Sequence, residues 1–290
     1  MEQADATGAA GEPSFTAMWH AWRRNAHATG HRSPIFADTL SAQLVPEPVR
    51  QDVVALMGGF SGQAADALIL MAVVRYRLLA DRLPAAHDRG IDQFVILGAG
   101  LDTSAFSLPP FAQGWRVFEV DHPATQEWKR RELAALGWCL PPNLVFAPCD
   151  FEAQKLLDAL DAVGFERERP AVVSLFGVIL YLTAGATKAL LSELASLAPG
   201  SEVVISYSPP PGGPDPVLRE VWGKSSPKVD ETGESFIGHH TASQIEQLAT
   251  DAGFGDTVHY SVDALNTTYL AGRPDGPELH AIEQLLIAVR

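Results

Sequence analysis

The feature that most constrains this chain is the run Phe94-Val95-Ile96-Leu97-Gly98-Ala99-Gly100. Four large apolar residues with no polar break suit a strand buried on both faces, as in a parallel sheet. The glycines at 98 and 100 let the backbone turn sharply and approach a ligand closely. Beyond this point short apolar runs alternate with helical patterns. The expected strands are Gln93–Leu97, Arg116–Asp121, 143–147, 171–175 and 202–206. The expected helices between them are 123–137, 152–163 and 184–197, with Thr183 placed to cap the last. Such alternation predicts βαβ units and an α/β fold with a doubly wound, mostly parallel sheet.

The flanks are read the same way. Phe15, Met18, Trp19 and Trp22 give 14–28 a helical spacing, and 35–45 carries a weaker one, stopped by Pro46 and Pro48. A strong helical pattern covers 63–83, ended by Pro84 and Gly90. After the fifth strand the proline-rich 209–216 reads as a loop opening a cap insertion, bounded at about 208–240. A helix over 241–253, strands over 257–260 and 267–271 as an antiparallel pair at the end of the sheet, and a closing helix over 278–289 complete the expectation. The chain thus reads as one domain: a loose tail over 1–13, a helical extension over 14–90 and a core over 91–290.

Composition narrows the function classes. A net charge of −14 repels phosphate backbones, so no nucleic-acid partner is expected. No apolar run is long enough to predict a membrane span, and 1–13 lacks the pattern of a secretory signal, so a cytoplasmic location is expected. Cys139 and Cys149 are not spaced as a redox pair, and His239-His240 is the only close histidine pair, without an acidic triad around it; no metal is expected.

In open α/β sheets ligands bind beyond the carboxyl ends of the strands. There the first strand supplies Gly98, Ala99, Gly100 and Asp102. The second supplies Glu119 and Asp121, and the third Asp150 with Phe151. An acid about 20 residues after a glycine turn can accept both hydroxyls of a ribose. An acid followed by an aromatic suits an adenine. Asp121 and Asp150 are equally able to cap the helices that follow them. The third glycine of a dinucleotide fingerprint would fall at position 103, where the chain has threonine, which counts against a nicotinamide-dependent oxidoreductase. No G-x-S-x-G elbow is present, so a serine hydrolase is disfavoured too. A non-catalytic small-molecule binder on the same fold stays open as an alternative. Candidates to orient or deprotonate an acceptor are Tyr181, His239 and His240.

Taken together, 98–103, 118–123, 149–151 and Gly177-Val178 with Tyr181 resemble the leucine carboxyl methyltransferase family, in its bacterial branch of S-adenosylmethionine-dependent enzymes. Arg75-Tyr76-Arg77, Pro34-Ile35-Phe36-Ala37-Asp38 and Gly233-Glu234 support the likeness, which runs from about Thr16 onward. The resemblance implies a Rossmann-like methyltransferase fold under an N-terminal helical lid, and S-adenosyl-L-methionine as cofactor. It implies Arg75 on the methionine carboxylate, Gly98 against the cofactor, Asp121 on the ribose and Asp150 with Phe151 on the adenine. Phe176 stands where phosphatase-methylating members carry a cofactor-contacting glutamate, which counts against protein C-terminal methylation. The bacterial branch includes O-methyltransferases of polyketide-type small molecules, so a small-molecule acceptor oxygen is expected.

Overall fold

The computed structural model describes residues 14–30, 33–273 and 276–290. The expected tail at 1–13 lies outside the described residues. Helix α1, Phe15–Gly30, turns Met18, Trp19 and Ala21 inward. The pattern at 35–45 yields only a short 3₁₀ turn, Ser41–Leu44. Asp38 is the reason: its Oδ1 accepts from the Leu40 and Ser41 N–H groups, an Asx turn that competes with helix. Pro46 and Pro48 do not merely stop a pattern. They open helix α2, Glu47–Gly58, because proline fits a first turn, where its missing N–H costs nothing.

Helix α3, Gly62–Asp88, is capped by Ser61 and runs through Pro84. The expected stop at that proline fails because only one hydrogen bond is lost, while Arg89 N closes the end on the Ala85 and Ala86 carbonyls. Arg82 then grips buried Glu202 through Nε and Nη2 at 2.7 and 2.9 Å, tying the end of α3 to the sheet.

The core strands are β1 Gln93–Leu97, β2 Arg116–Asp121, β3 Leu144–Pro148, β4 Val172–Leu175 and β5 Glu202–Tyr207. Between them lie α4 Pro123–Ala135, α5 Leu156–Ala162 and α6 Ala184–Leu194, the last capped by Thr183 as expected. Helix α5 starts later than expected because Asp150 and Gln154 hold the preceding residues in turns. The loop after β5 leads into α7, Pro216–Asp230, an unforeseen helix within the cap, and then α8, Ala242–Ala252, and β6, Asp256–Tyr260. The described residues form a seven-stranded sheet in the order β3-β2-β1-β4-β5-β7-β6, parallel except at β7, which is antiparallel to both β5 and β6.

Strand β7, Gln284–Val289, replaces the expected closing helix. Leu285, Leu286, Ile287 and Ala288 are all buried, and a continuous apolar run reads equally as buried helix or buried strand. The expected strand at 267–271 is instead helix α9, Val262–Leu265, continued by one π turn, Asn266–Leu270. Ser261 caps α9, and Asn266 trades hydrogen bonds in both directions with the Leu279 backbone. Val95 and Leu97 point into one apolar layer and Phe94 and Ile96 into the other, so both faces of the sheet are covered. No helix among the described residues is long and apolar enough to cross a membrane.

Candidate active site

The sheet order reverses between β1 and β4, and a crevice opens beyond their carboxyl ends. A cavity of about 210 Å³ fills it. Gly98 and Gly100 form its floor with φ values of 62° and 44°, a left-handed backbone that suits glycine. A Cβ on Gly98 would stand 2.3 Å from Val178 Cγ2, so the close approach of β1 and the β4 exit needs a glycine there.

Asp121 lies against this turn. Its Oδ2 accepts from Gly100 N, and its Oδ1 accepts from His122 N at 2.6 Å. The carboxylate thus joins the glycine turn to the start of α4. Burial pushes its pKa up, opposed by the two backbone N–H donors. Ala99, Asp102, Asp150, Phe151, Phe176 and Tyr181 also line the cavity. Asp150 Oδ1 accepts from Glu152 N at 2.9 Å, so this acid organises its own loop while facing the cavity. Phe176 packs edge-on against Tyr76 at 5.4 Å between ring centroids.

Glu119 is not brought to the cavity. It is buried on the far side of the turn, where Oε2 meets Lys129 Nζ at 2.6 Å. Lys129 also donates to the Asp102 carbonyl at 2.6 Å, so the pair fixes the end of the glycine turn from behind. Burial pushes the Glu119 carboxyl up to about 7 against the pull of Lys129. His239 and His240 likewise stay away from the crevice. His239 Nδ1 faces the Pro209 carbonyl at 3.1 Å and His240 Nδ1 faces the Gly238 carbonyl at 3.1 Å.

Arg75, from α3, is buried at the cavity wall. Its Nη1 donates to both oxygens of Glu283 at 2.9 and 3.2 Å, and its Nη2 lies 3.0 Å from His20 Nδ1. Arginine can only donate, so Nδ1 of His20 accepts and its proton sits on Nε2. Burial first, then Arg23, Arg75 and Arg24, hold His20 well below the usual histidine range. The Nε of Arg75 is buried without a partner. An orphaned guanidinium N–H in a cavity wall is a ready partner for a carboxylate.

Residues of α1 complete the wall, and the sequence reading did not single them out as site residues. Tyr181 donates to Thr16 Oγ1 at 2.9 Å, and Thr16 donates to Glu234 Oε2 at 2.6 Å. Glu234 also accepts from Phe15 N at 2.8 Å, capping α1 from the far end of the cap segment. Burial, then the nearby Glu234 carboxylate, push the Tyr181 phenol far above its usual range. Arg24 spans from Asp38 (2.8 Å) to the Leu101 carbonyl (3.0 Å), fastening α1 to the glycine turn. Long side chains reaching across elements leave no spacing signal. Arg23 and Arg24 stand opposite the apolar residues in the helical spacing of 14–28, which gives no sign that the structure buries both.

Comparison with known proteins gives the family. A family model described as leucine carboxyl methyltransferase matches residues 17–195. "Putative S-adenosyl-L-methionine-dependent methyltransferase YktD" of Bacillus subtilis (strain 168) is 30% identical over 91% of this chain and 93% of its own length. A protein of the same description from Mycobacterium tuberculosis (strain ATCC 25177 / H37Ra) is 31% identical over 66% of this chain and 63% of its own length. Among solved structures, a "putative methyltransferase" from Thermobifida fusca YX superposes with a TM-score of 0.57 at 19% identity, covering 93% of this chain and 94% of that one. That likeness bears on the fold.

Proposed function

The chain belongs to the leucine carboxyl methyltransferase family and is an S-adenosylmethionine-dependent methyltransferase, and from this we propose that its acceptor is a small molecule methylated on a carboxylate oxygen. Gly98, Ala99, Gly100 and Asp102 would carry the cofactor's backbone-facing side, Asp121 its ribose, Asp150 and Phe151 its adenine. Arg75 would take its carboxylate; the unpartnered Nε supports this fit. Phe176 would bound the site with an apolar ring. Tyr181 would orient the acceptor as a hydrogen-bond partner.

One observation carries the choice of a carboxylate. At the end of the cavity nearest α1 the chain presents no ready base: His20 has its proton on Nε2 and can donate, and Tyr181 is a neutral phenol whose proton goes to Thr16. A hydroxyl acceptor needs a base to remove its proton, whereas a carboxylate arrives already anionic. When bound, the cofactor would supply an activated methyl group, which a carboxylate oxygen can accept with no proton to release. The residues of the chain hold the acceptor in line and exclude water, which is where such a site gains rate.

The test is direct. S-adenosylhomocysteine should bind in a calorimeter where NAD does not. With S-adenosylmethionine, small acids should yield methyl esters in preference to ethers from their alcohols, at a rate flat between about pH 6 and 9. Methylation of benzyl alcohol ahead of benzoate, or a rate rising with pH through a base's titration, would refute the carboxylate assignment.

A further inference from the structure

Helix α1 roofs the crevice. Ser14, Thr16, Ala17 and His20, at its start, line the cavity. A Cβ placed on Gly100 would stand 3.0 Å from Ala17 Cβ, so the helix rests directly on the glycine turn. A ligand held by that turn therefore enters and leaves beneath the first turns of α1.

That end of α1 is fastened by Glu234, which follows α7 in the cap segment. Its Oε1 accepts from Phe15 N at 2.8 Å, and its Oε2 accepts from Thr16 Oγ1 at 2.6 Å and Ser14 Oγ at 3.0 Å. Tyr181 donates to the same Thr16 oxygen at 2.9 Å. The first N–H groups of a helix lack partners within it, and its positive end favours a carboxylate. Ser14 gives α1 a local cap, accepting from Ala17 N at 3.1 Å. Glu234 adds a second cap from more than two hundred positions away, and this one exists only while α1 lies against the cap segment.

The two sides of the contact are unequally held. Ile237 N and Gly238 N both donate to the Leu180 carbonyl, at 2.9 and 2.8 Å, and Phe236 packs on Tyr181 and Trp222 with ring centroids 5.5 and 5.6 Å apart. A Cβ on Gly238 would stand 1.9 Å from the Ile179 carbonyl oxygen, so glycine lets the segment lie flat on the loop after β4. The segment carrying Glu234 is thus bound into the core wall. The next polar tie from α1 to the glycine turn is Arg24, two turns further along, which reaches the Leu101 carbonyl at 3.0 Å. Glu234 is 4% exposed; among the described residues it forms no ion pair, and every hydrogen bond its carboxylate accepts comes from residues 14–16. A buried carboxylate without a cation depends on its hydrogen bonds. Lifting the start of α1 breaks all of them together, so the contact is either made or broken.

We propose that Glu234 is a positioning residue that latches α1 over the crevice, and that opening this latch sets the rate at which the cofactor enters and its spent form leaves. This rests on the cofactor reading above and goes further in naming the residue that controls exchange. Closure sequesters a site from water, and reopening governs release. The latch is closed in this structure and, in the proposal, closed in the complex as well. Weakening it therefore speeds entry and exit alike and leaves the equilibrium affinity nearly unchanged.

The experiment uses the full chain. Calorimetry gives the Kd of S-adenosylhomocysteine, and chasing radiolabelled S-adenosylhomocysteine off the protein with excess unlabelled compound gives koff; their ratio gives kon. Glu234→Gln keeps the size but removes the charge and one acceptor oxygen. From the usual worth of a helix cap it should raise koff by about fivefold or more, and kon with it, holding Kd within about threefold. Glu234→Asp keeps the charge but withdraws it by one methylene. It should raise koff by about twofold or more on the same terms, and it decides the matter if the glutamine variant does not fold. Smaller changes in koff would overturn the latch. So would a Kd weakened beyond that threefold margin in step with koff, because a residue that merely shapes the site lowers affinity and leaves kon alone. Either result leaves the cofactor reading standing. Failure of the unaltered protein to bind S-adenosylhomocysteine at all would overturn both.

Discussion

Replacing Asp121 by asparagine isolates what this carboxylate does. One of its oxygens accepts from Gly100 N and the other from His122 N. Asparagine is nearly isosteric but has a single acceptor oxygen, so one of the two N–H groups then faces an NH₂. The loss is one charge-assisted hydrogen bond plus a donor left without a partner, roughly 1.5–3 kcal/mol. Burial already raises the Asp121 pKa, so part of the carboxylate's advantage is cancelled, and the lower half of that range applies, about 1.5–2 kcal/mol. If that loss falls on the cofactor, S-adenosylhomocysteine should bind roughly 10- to 30-fold more weakly. If it falls on the turn, the midpoint of thermal unfolding should drop by roughly 3–8 °C.

Calorimetric titration well below the melting temperature of both proteins reads the first effect, and differential scanning calorimetry reads the second. The pH dependence supplies an internal check. A carboxyl whose folded pKa is raised takes its proton earlier on acidification than in the unfolded chain, so wild type gains stability relative to the variant as the pH falls through that pKa, and the difference in unfolding stability should widen. An Asp121→Asn protein that binds within threefold of wild type and melts within 1 °C of it would refute the placement of this carboxylate at the centre of the site.

Three further outcomes are expected. Gly98→Ala should destabilise by roughly 2–4 kcal/mol in urea unfolding, from a left-handed φ and the contact with Val178 Cγ2, and Val178→Ala should relieve the steric part but not the backbone part. Lys129→Met leaves the Glu119 carboxylate alone in the interior and should cost about 3–5 kcal/mol, part of which Glu119→Gln restores in the double variant. His20 has its folded pKa lowered, so below the unfolded value of 6.5 the unfolded chain binds the extra proton, and stability present above that pH is lost on acidification. The His20 contribution has a slope of at most about 1.4 kcal/mol per pH unit, which His20→Gln should remove from the stability profile between pH 7.5 and 5.5.

The sheet was legible because its evidence is local. Each of β1 to β5 is a short, largely apolar run of four to six residues, and β2, β3 and β4 are each followed by a helix-forming stretch; a buried parallel strand needs little more than that. The end of the chain was misread for the same reason. Leu285-Leu286-Ile287-Ala288 is apolar without interruption, and whether it becomes helix or strand is settled by the space between β5 and β6, which is a property of the tertiary fold. Pro84 and Pro48 misled in a complementary way: each costs at most one hydrogen bond, too little to outweigh the burial of the helices that carry them.

The site divides along the same line. Residues at strand ends, such as Gly98, Gly100, Asp121 and Asp150, are fixed by the sheet itself, so their positions in the chain foretold their places around the cavity. Glu119 shows the limit of that logic. It lies two residues from Asp121 on β2, yet Lys129 of α4, ten positions further along, draws it into an ion pair on the other side of the glycine turn. Thr16 and His20 line the crevice from one face of α1, and Glu234 backs Thr16 from the cap segment more than two hundred positions away, a contact the chain order does not record. Arg24 finds Asp38 and Arg75 finds Glu283 only once α1, α3 and the approach to β7 are packed together, and Glu234 finds Thr16 and the start of α1 in the same way, so the charged part of this wall is a property of the tertiary fold.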